Sequence, residues 1–345
     1  LIRDGVDAKT VAVLRQEFGS EQAIYYGLDR RAGIAFGSIS KLDGESGLAP
    51  RDAFITDLKT KEMVRISNGR TRPDPTQFTS MTFSNGHLVW VETDSDNLSA
   101  SNWVMYAYEL GPGGQIRGGH TVELARAPDV GVKPVPMAAG STVPRISGSE
   151  VYFAAVSAVR KNKNETSAYR VPLDGSSKMS LFERDVDGVF ADDDWVYFGR
   201  GDDLLRRSVR AGSKAEPVAA MDSIRSFCGG AFAHGMFVAC SNRARTQNLK
   251  IFDTKDNLIA DIDVGENSIS ASTLDITSDL VAFDIVSGMG SRIHRYVFDV
   301  HSGRLSLLSK KNVNTIASGS GRIQQLRVQP EKGIAESFEF VEILA

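Results

Sequence analysis

The sequence predicts an all-β chain, a seven-bladed β-propeller of four-stranded antiparallel blades, and three observations carry that reading. Short apolar runs recur behind Gly, Asn or Asp turns. A hairpin signature follows each run after a variable loop, and the chain begins and ends inside the same repeat. The last blade is therefore expected to be closed by strands from both ends.

The runs come first. Gly33-Ile34-Ala35-Phe36, His87-Leu88-Val89-Trp90-Val91, Glu150-Val151-Tyr152-Phe153 and Trp195-Val196-Tyr197-Phe198 are followed by Met236-Phe237-Val238-Ala239 and Leu280-Val281-Ala282-Phe283. They are too short for helices, and their apolar residues are consecutive rather than alternating, as in strands covered on both faces. Each reads as strand b of a blade. The hairpins behind them read as strands c and d, for example Phe54-Ile55-Thr56-Asp57-Leu58 turning into Met63-Val64-Arg65-Ile66, and Tyr296-Val297-Phe298-Asp299-Val300 turning into Leu305-Ser306-Leu307-Leu308. Complete blades fall at about 22–67, 77–126, 142–184, 187–220, 224–264 and 268–310. Residues 322–344 read as strands a and b of a seventh, with Leu1 to Asp4 as strand c and Val11 to Leu14 as strand d. The alternative is a six-bladed propeller with a decorated terminus.

Composition bounds the function. With 345 residues, 41% hydrophobic and 24% charged, and a formal charge of -3, the chain has the makings of one globular domain and none of the basic bias of a nucleic-acid binder. No apolar run approaches the roughly 18 residues of a membrane span, so no membrane insertion by this chain is expected. The sequence opens on Leu1 without a leader-like stretch, which suggests a signal peptide or anchor removed upstream.

The elements Ser84-Asn85-Gly86-His87-Leu88-Val89-Trp90 and Ser147-Gly148-Ser149-Glu150-Val151-Tyr152-Phe153, with hairpins such as Phe298-Asp299-Val300-His301-Ser302-Gly303, resemble TolB-type and related WD40-like bacterial propeller repeats. The likeness runs along the whole chain. It departs from TolB in lacking a preceding α/β domain, and neither the paired glycines of kelch repeats nor the GH and WD signatures recur from blade to blade. The resemblance implies an extracytoplasmic binding or scaffold propeller, either periplasmic, secreted or at the cell surface.

Local chemistry is sparse. Cys228 and Cys240 flank the turn Ala233-His234-Gly235; a hairpin symmetric about His234 would set them face to face, close enough for a disulfide, against the alternative of two small buried thiols. His87, His120, His234, His294 and His301 are dispersed without metal-ligand spacing, so neither a metal nor a cofactor is expected. The acidic groups at Asp94-Ser95-Asp96-Asn97, Asp185-Val186-Asp187-Gly188 and Asp192-Asp193-Asp194 complete no calcium loop and suit turns instead. No GxSxG elbow is present. Trp90, Trp103 and Trp195 are expected to pack between blades. Long loops are expected at Ser40 to Arg51, Thr93 to Ser101, Arg126 to Pro144 and Val159 to Ser167.

Basic residues mark one arc of the loop-bearing face. Arg160, Lys161, Arg243, Arg245 and Arg292, with Arg145 and Arg225 at the starts of inner strands, are the candidate ligand-binding set for an anionic ligand or an acidic surface, against the plainer reading of solvated loop charge. The sequence favours a non-catalytic exported domain that binds a protein, carbohydrate or cell-envelope ligand, or the sensor part of a membrane-anchored protein. The alternative is a propeller hydrolase or lyase with scattered polar residues in its channel.

Overall fold

The computed structural model describes residues 8–343 apart from 16, 19–20, 30, 44–46, 67–76, 95–101, 128–141, 161–162, 193, 202, 211, 225–226, 244–245, 278, 288–291, 308–322 and 329–336. Two compact parts are present: Glu17–Pro217, and Leu1–Gln16 together with Val218–Ala345. Among the described residues the regular structure is β-sheet and short 3-10 turns.

Within Glu17–Pro217 every sheet is an antiparallel meander of consecutive strands. The first holds β2 (Glu17–Phe18), β3 (Glu21–Asp29), β4 (Ile34–Asp43), β5 (Gly47–Asp57) and β6 (Met63–Ile66), and the second β7 (Gln77–Ser84), β8 (His87–Thr93), β9 (Trp103–Gly111) and β10 (Gln115–Arg126). The third comprises β11 (Arg145–Ser147), β12 (Glu150–Arg160), β13 (Lys163–Pro172) and β14 (Ser180–Glu183); the fourth, β15 (Val189–Ala191), β16 (Trp195–Arg200), β17 (Asp203–Ser208) and β18 (Glu216–Pro217). Two-residue turns join β7 to β8 and β11 to β12. Asn85 (φ 51°) and Gly86 (φ 77°) both take the left-handed conformation that such a hairpin demands, which suits an Asn-Gly pair.

The consecutive apolar runs are explained by packing on both faces. Along β8 the side chains alternate between two cores: Leu88 and Trp90 join Ile34, Phe36 and Ile55 from the first sheet, whereas Val89 and Val91 join Val151, Phe153 and Val171 from the third. Each is fully buried, and each contributes about 1.5–3 kcal/mol. Along β12, Tyr152 and Ala154 face Val189, Val196 and Phe198 of the fourth sheet while Val151 and Phe153 face back to the second. Sheets stacked face to face leave no polar face on their central strands.

The second part repeats the pattern in β19 (Phe227–Ala233), β20 (Met236–Arg243), β21 (Thr246–Asp253) and β22 (Leu258–Asp263), and in β23 (Ser268–Ile276), β24 (Leu280–Ser287), β25 (Arg292–Asp299) and β26 (Arg304–Leu307). Val238, Leu249 and Ile251 share a core with Val281, Phe283 and Phe298. The last sheet is built from β27 (Ile323–Val328), β28 (Ser337–Ile343) and β1 (Ala8–Arg15), in the order β1-β28-β27.

Among the described residues the structure does not contain seven four-stranded blades. Six sheets have four strands or more, as the six-bladed alternative requires, and the sheet made from the chain's two ends has three. Val11 to Leu14, expected as strand d, lie in β1 and pair directly with β28, so they occupy position c. Leu1 to Asp4 lie outside the described residues. The strand after β1 does not turn back to supply an outer edge; Glu17 and Phe18 pair instead with Gln22 and Glu21 of β3.

Two expected loops are strands. β4 and β5 pair as far as Asp43 and Gly47, and β12 and β13 as far as Arg160 and Lys163, so 40–43 with 47–51 and 159–160 with 163–167 are paired strand.

Candidate functional site

The first strand of the third sheet is short, and its three residues face two ways. Ile146 packs against the core shared with β8 and β9, so Arg145 and Ser147 point to the other side. Arg145 stands opposite Tyr152 in the ladder, and Ser147 opposite Glu150. The guanidinium carbon of Arg145 lies 5.1 Å from the ring centroid of Phe190 on β15.

Among the described residues no carboxylate pairs with this cation. Arg145 retains some exposed surface, yet its Nε is enclosed and has no hydrogen-bond partner, and burial alone pulls its pKa below the ordinary arginine value. Ser147, which is buried, has an Oγ that is likewise enclosed and unpartnered, as is Thr79 Oγ1 on β7. The neighbouring carboxylate is already engaged: Glu150 Oε2 accepts from Tyr152 Oη at 2.7 Å and pairs with Arg170 Nη1 at 3.4 Å. Desolvation is the main cause that pushes the Tyr152 phenol up to about 12, so it remains a donor to Glu150. Withdrawing a cation from water costs several kcal/mol, and a ring-face contact offsets only about 0.5–2 of it. The surface that Arg145 keeps in water lowers that cost without supplying a counter-charge.

Of the other expected basic residues, Arg225, Lys161 and Arg245 lie outside the described residues. Arg160, Arg243 and Arg292 end hairpins opposite Lys163, Thr246 and Ser287, with side chains outside the described set. The described residues therefore bring none of the seven together. Arg145 alone has a described environment.

Two adjoining clefts of about 520 Å³ each open beside the turns of the second and third sheets and share Asn85, His87 and Glu109. His87, Glu109 and His120 stand in one row across β8, β9 and β10. His87 Nδ1 is 2.9 Å from the Asn85 carbonyl, and His120 Nδ1 is 3.6 Å from Glu109 Oε2. Among the described residues no three His, Cys, Asp or Glu side chains are grouped to hold a metal. The acidic turns have local work: Asp192 Oδ1 accepts the backbone N–H of Asp194 and Trp195. Trp90 and Trp103 are fully buried in the inter-sheet cores, whereas Trp195 is partly exposed under Arg206.

Sequence reasoning overlooked a buried charge cluster on β23 to β25. Arg295 lies 3.2 Å from Asp284 and 4.0 Å from Asp275, all three nearly inaccessible. Single charged residues inside otherwise apolar strands were the available signal.

The cysteine hairpin differs in register from its expected form. His234 (φ 50°) and Gly235 (φ 73°) make a two-residue turn with Ala233 opposite Met236, which moves the centre of symmetry off His234. That register sets position 228 against Ser241 until an irregularity intervenes: Phe227 pairs with Ser241 and Gly229 with Cys240, leaving Cys228 as the extra residue of a bulge. Cys240, fully buried, is disulfide-bonded, and the chain holds two cysteines.

No protein-family model and no curated protein sequence matches the chain. Solved structures do. The chain is similar to the β-propeller domain of the Trilobed protease from Pyrococcus furiosus, at 10% identity over 92% of this chain and 95% of that one, with a TM-score of 0.62. It is similar to the acylaminoacyl peptidase of Pyrococcus horikoshii at 8% identity and a TM-score of 0.62, covering 94% of this chain but 52% of that one. An oligogalacturonate lyase from Vibrio parahaemolyticus matches at 8% identity over 99% of this chain and 97% of that one, with a TM-score of 0.60. The chain thus spans about half the length of the whole peptidase and nearly all of the lyase and the isolated propeller domain. These neighbours correct the expectation of a non-catalytic binding or scaffold domain, because they are propellers of peptidases and of a lyase, the alternative set against it. At this level of identity the likeness is one of fold, and the fold is the β-propeller.

Proposed function

We propose that this chain is the propeller of a hydrolase or lyase, with its substrate received beside the first strands of its blades. The observation that carries the reading is the pair of polar atoms on one side of β11 that have no partner, Arg145 Nε and Ser147 Oγ. An unpaired cation beside an unpartnered hydroxyl costs stability, about 1–3 kcal/mol for each unsatisfied polar group, and a substrate anion would complete both. The propellers of similar fold support the same class. In the lyase reading the chain acts alone, as its nearly complete overlap with the oligogalacturonate lyase suggests. In the hydrolase reading it selects substrate for a catalytic domain outside this sequence, as its half-length overlap with the acylaminoacyl peptidase suggests.

The turns Ser84-Asn85-Gly86-His87 and Ser147-Gly148-Ser149-Glu150 support kinship with TolB-type, WD40-like bacterial propellers as a finer reading. Export to an oxidising compartment is supported by the disulfide at Cys240. The partner under this reading is a carbohydrate or peptide substrate, of cell-envelope or other extracytoplasmic origin.

The experiment is a paired assay on the purified chain. Trigalacturonate is followed by ultraviolet absorbance of an unsaturated product, and N-blocked peptide nitroanilides by released nitroaniline and, separately, by calorimetric binding. Turnover of either class, or binding of the peptides without turnover, sustains the reading. Failure of both classes to react and to bind refutes it.

A further inference from the structure

Arg145 is unusual among the described arginines whose side chains are not fully exposed. Arg65, Arg117, Arg126, Arg170, Arg200, Arg206, Arg207 and Arg295 each pair with a carboxylate. Arg145 has a ring face and an enclosed Nε. Its strand is anchored by Ile146 in the core and by the ladder to β12, so the side chain projects from a rigid base. Two residues along, on the same side of the strand, Ser147 keeps a hydroxyl without a partner. Phe190 braces the guanidinium from the next sheet.

We propose that Arg145 and Ser147, with Phe190 as the supporting ring, form a binding site for a carboxylate on the substrate. This rests on the reading that the first strands receive substrate, and it specifies the substrate's chemical class. A planar carboxylate matches the fork of a guanidinium held flat by an aromatic face, and it supplies the missing counter-charge. The hydroxyl of Ser147 adds a neutral donor to the same anion. Glu150 is turned to Tyr152 and Arg170 and so does not fill the place from within. A carboxylate of this kind is carried by an acidic sugar or by an acidic peptide, and the two are separated by the probes.

The test uses calorimetric titration of the full chain with trigalacturonate and with triglutamate, and with galactotriose and trialanine as neutral counterparts. One acidic probe is expected to bind and its neutral counterpart to fail, with affinity falling as salt rises. Arg145→Met is expected to weaken that binding by at least about tenfold, Arg145→Lys to weaken it less, and Ser147→Ala by a few-fold, since hydrogen bonds to charged groups are the stronger kind. Arg145→Met is also expected to melt no lower than the parent without ligand, which a structural arginine would not do. Trigalacturonate as the binder identifies an acidic sugar, and triglutamate an acidic peptide. The proposal is overturned if neither acidic probe binds, if Arg145→Met binds as the parent does, or if that variant fails to fold. Turnover of a neutral substrate undiminished in Arg145→Met would sink this site and leave the hydrolase or lyase reading standing.

Discussion

Removing residues 1–16 takes β1 away and strips one edge of β28. Seven residue pairs, from Ala8 with Ile343 to Arg15 with Ser337, join the two strands. With roughly one backbone hydrogen bond per pair at about 0.5–1.5 kcal/mol net, the ladder contributes on the order of 4–10 kcal/mol. Leu14, at 3% exposure, adds about 1.5–3 kcal/mol. A folded protein holds only about 5–15 kcal/mol in total, so the part containing β27 and β28 loses most of its margin. Trp90, Trp103 and Trp195 all lie within Glu17–Pro217. Their fluorescence therefore follows that part, while far-ultraviolet circular dichroism follows both. In a urea titration the truncated chain is expected to lose dichroism well below the full chain's midpoint, with its tryptophan transition shifted less. A dichroism transition that overlays the parent's refutes the pairing as a source of stability.

Further outcomes follow from single side chains. Arg145→Met should raise the ligand-free unfolding free energy by on the order of 1 kcal/mol, since it replaces a half-buried cation that has no carboxylate partner among the described residues with an apolar chain of similar length; a clear loss in chemical denaturation would contradict the account of the site. Cys240→Ser should cost about 3 kcal/mol, the loop-closure value for a bridge to Cys228, and the unreduced parent should take up no alkylating reagent by mass. Trp90→Phe should cost more than Trp103→Phe, because Trp90 Nε1 donates to the buried Glu92 at 2.8 Å whereas Trp103 Nε1 has no partner. Equal midpoints for the two variants would remove that hydrogen bond as a contributor.

Much of the fold is legible because the repeat is written in packing. Trp195 to Phe198 and Leu280 to Phe283 announce strands buried on both faces, and β16 and β24 are those strands. The errors sit where long-range pairing overrides local preference. Pro50 and the glycines near residue 45 look like a loop, but β5 tolerates Pro50 next to an irregularity in its register with β4, where a missing N–H is harmless. The cysteine register failed by one residue because a turn centred on His234 and one centred between His234 and Gly235 are indistinguishable without the backbone. Arg145 could be singled out as a basic residue at the start of an inner strand. Its lack of a counter-charge could not, because that depends on Glu150 being engaged and on Phe190 arriving from the next sheet.

The pairing of β1 with β28 also orders events at the ribosome. β1 leaves the exit tunnel before the other described strands and meets its neighbour only when the last of them has been made, on the order of tens of seconds later. Throughout that interval the nascent segment carries unsatisfied backbone groups and a leucine meant for the interior. Chaperones that shield extended apolar segments would have their longest engagement here, and slowing translation late in the message should lengthen exposure of this strand more than of any other.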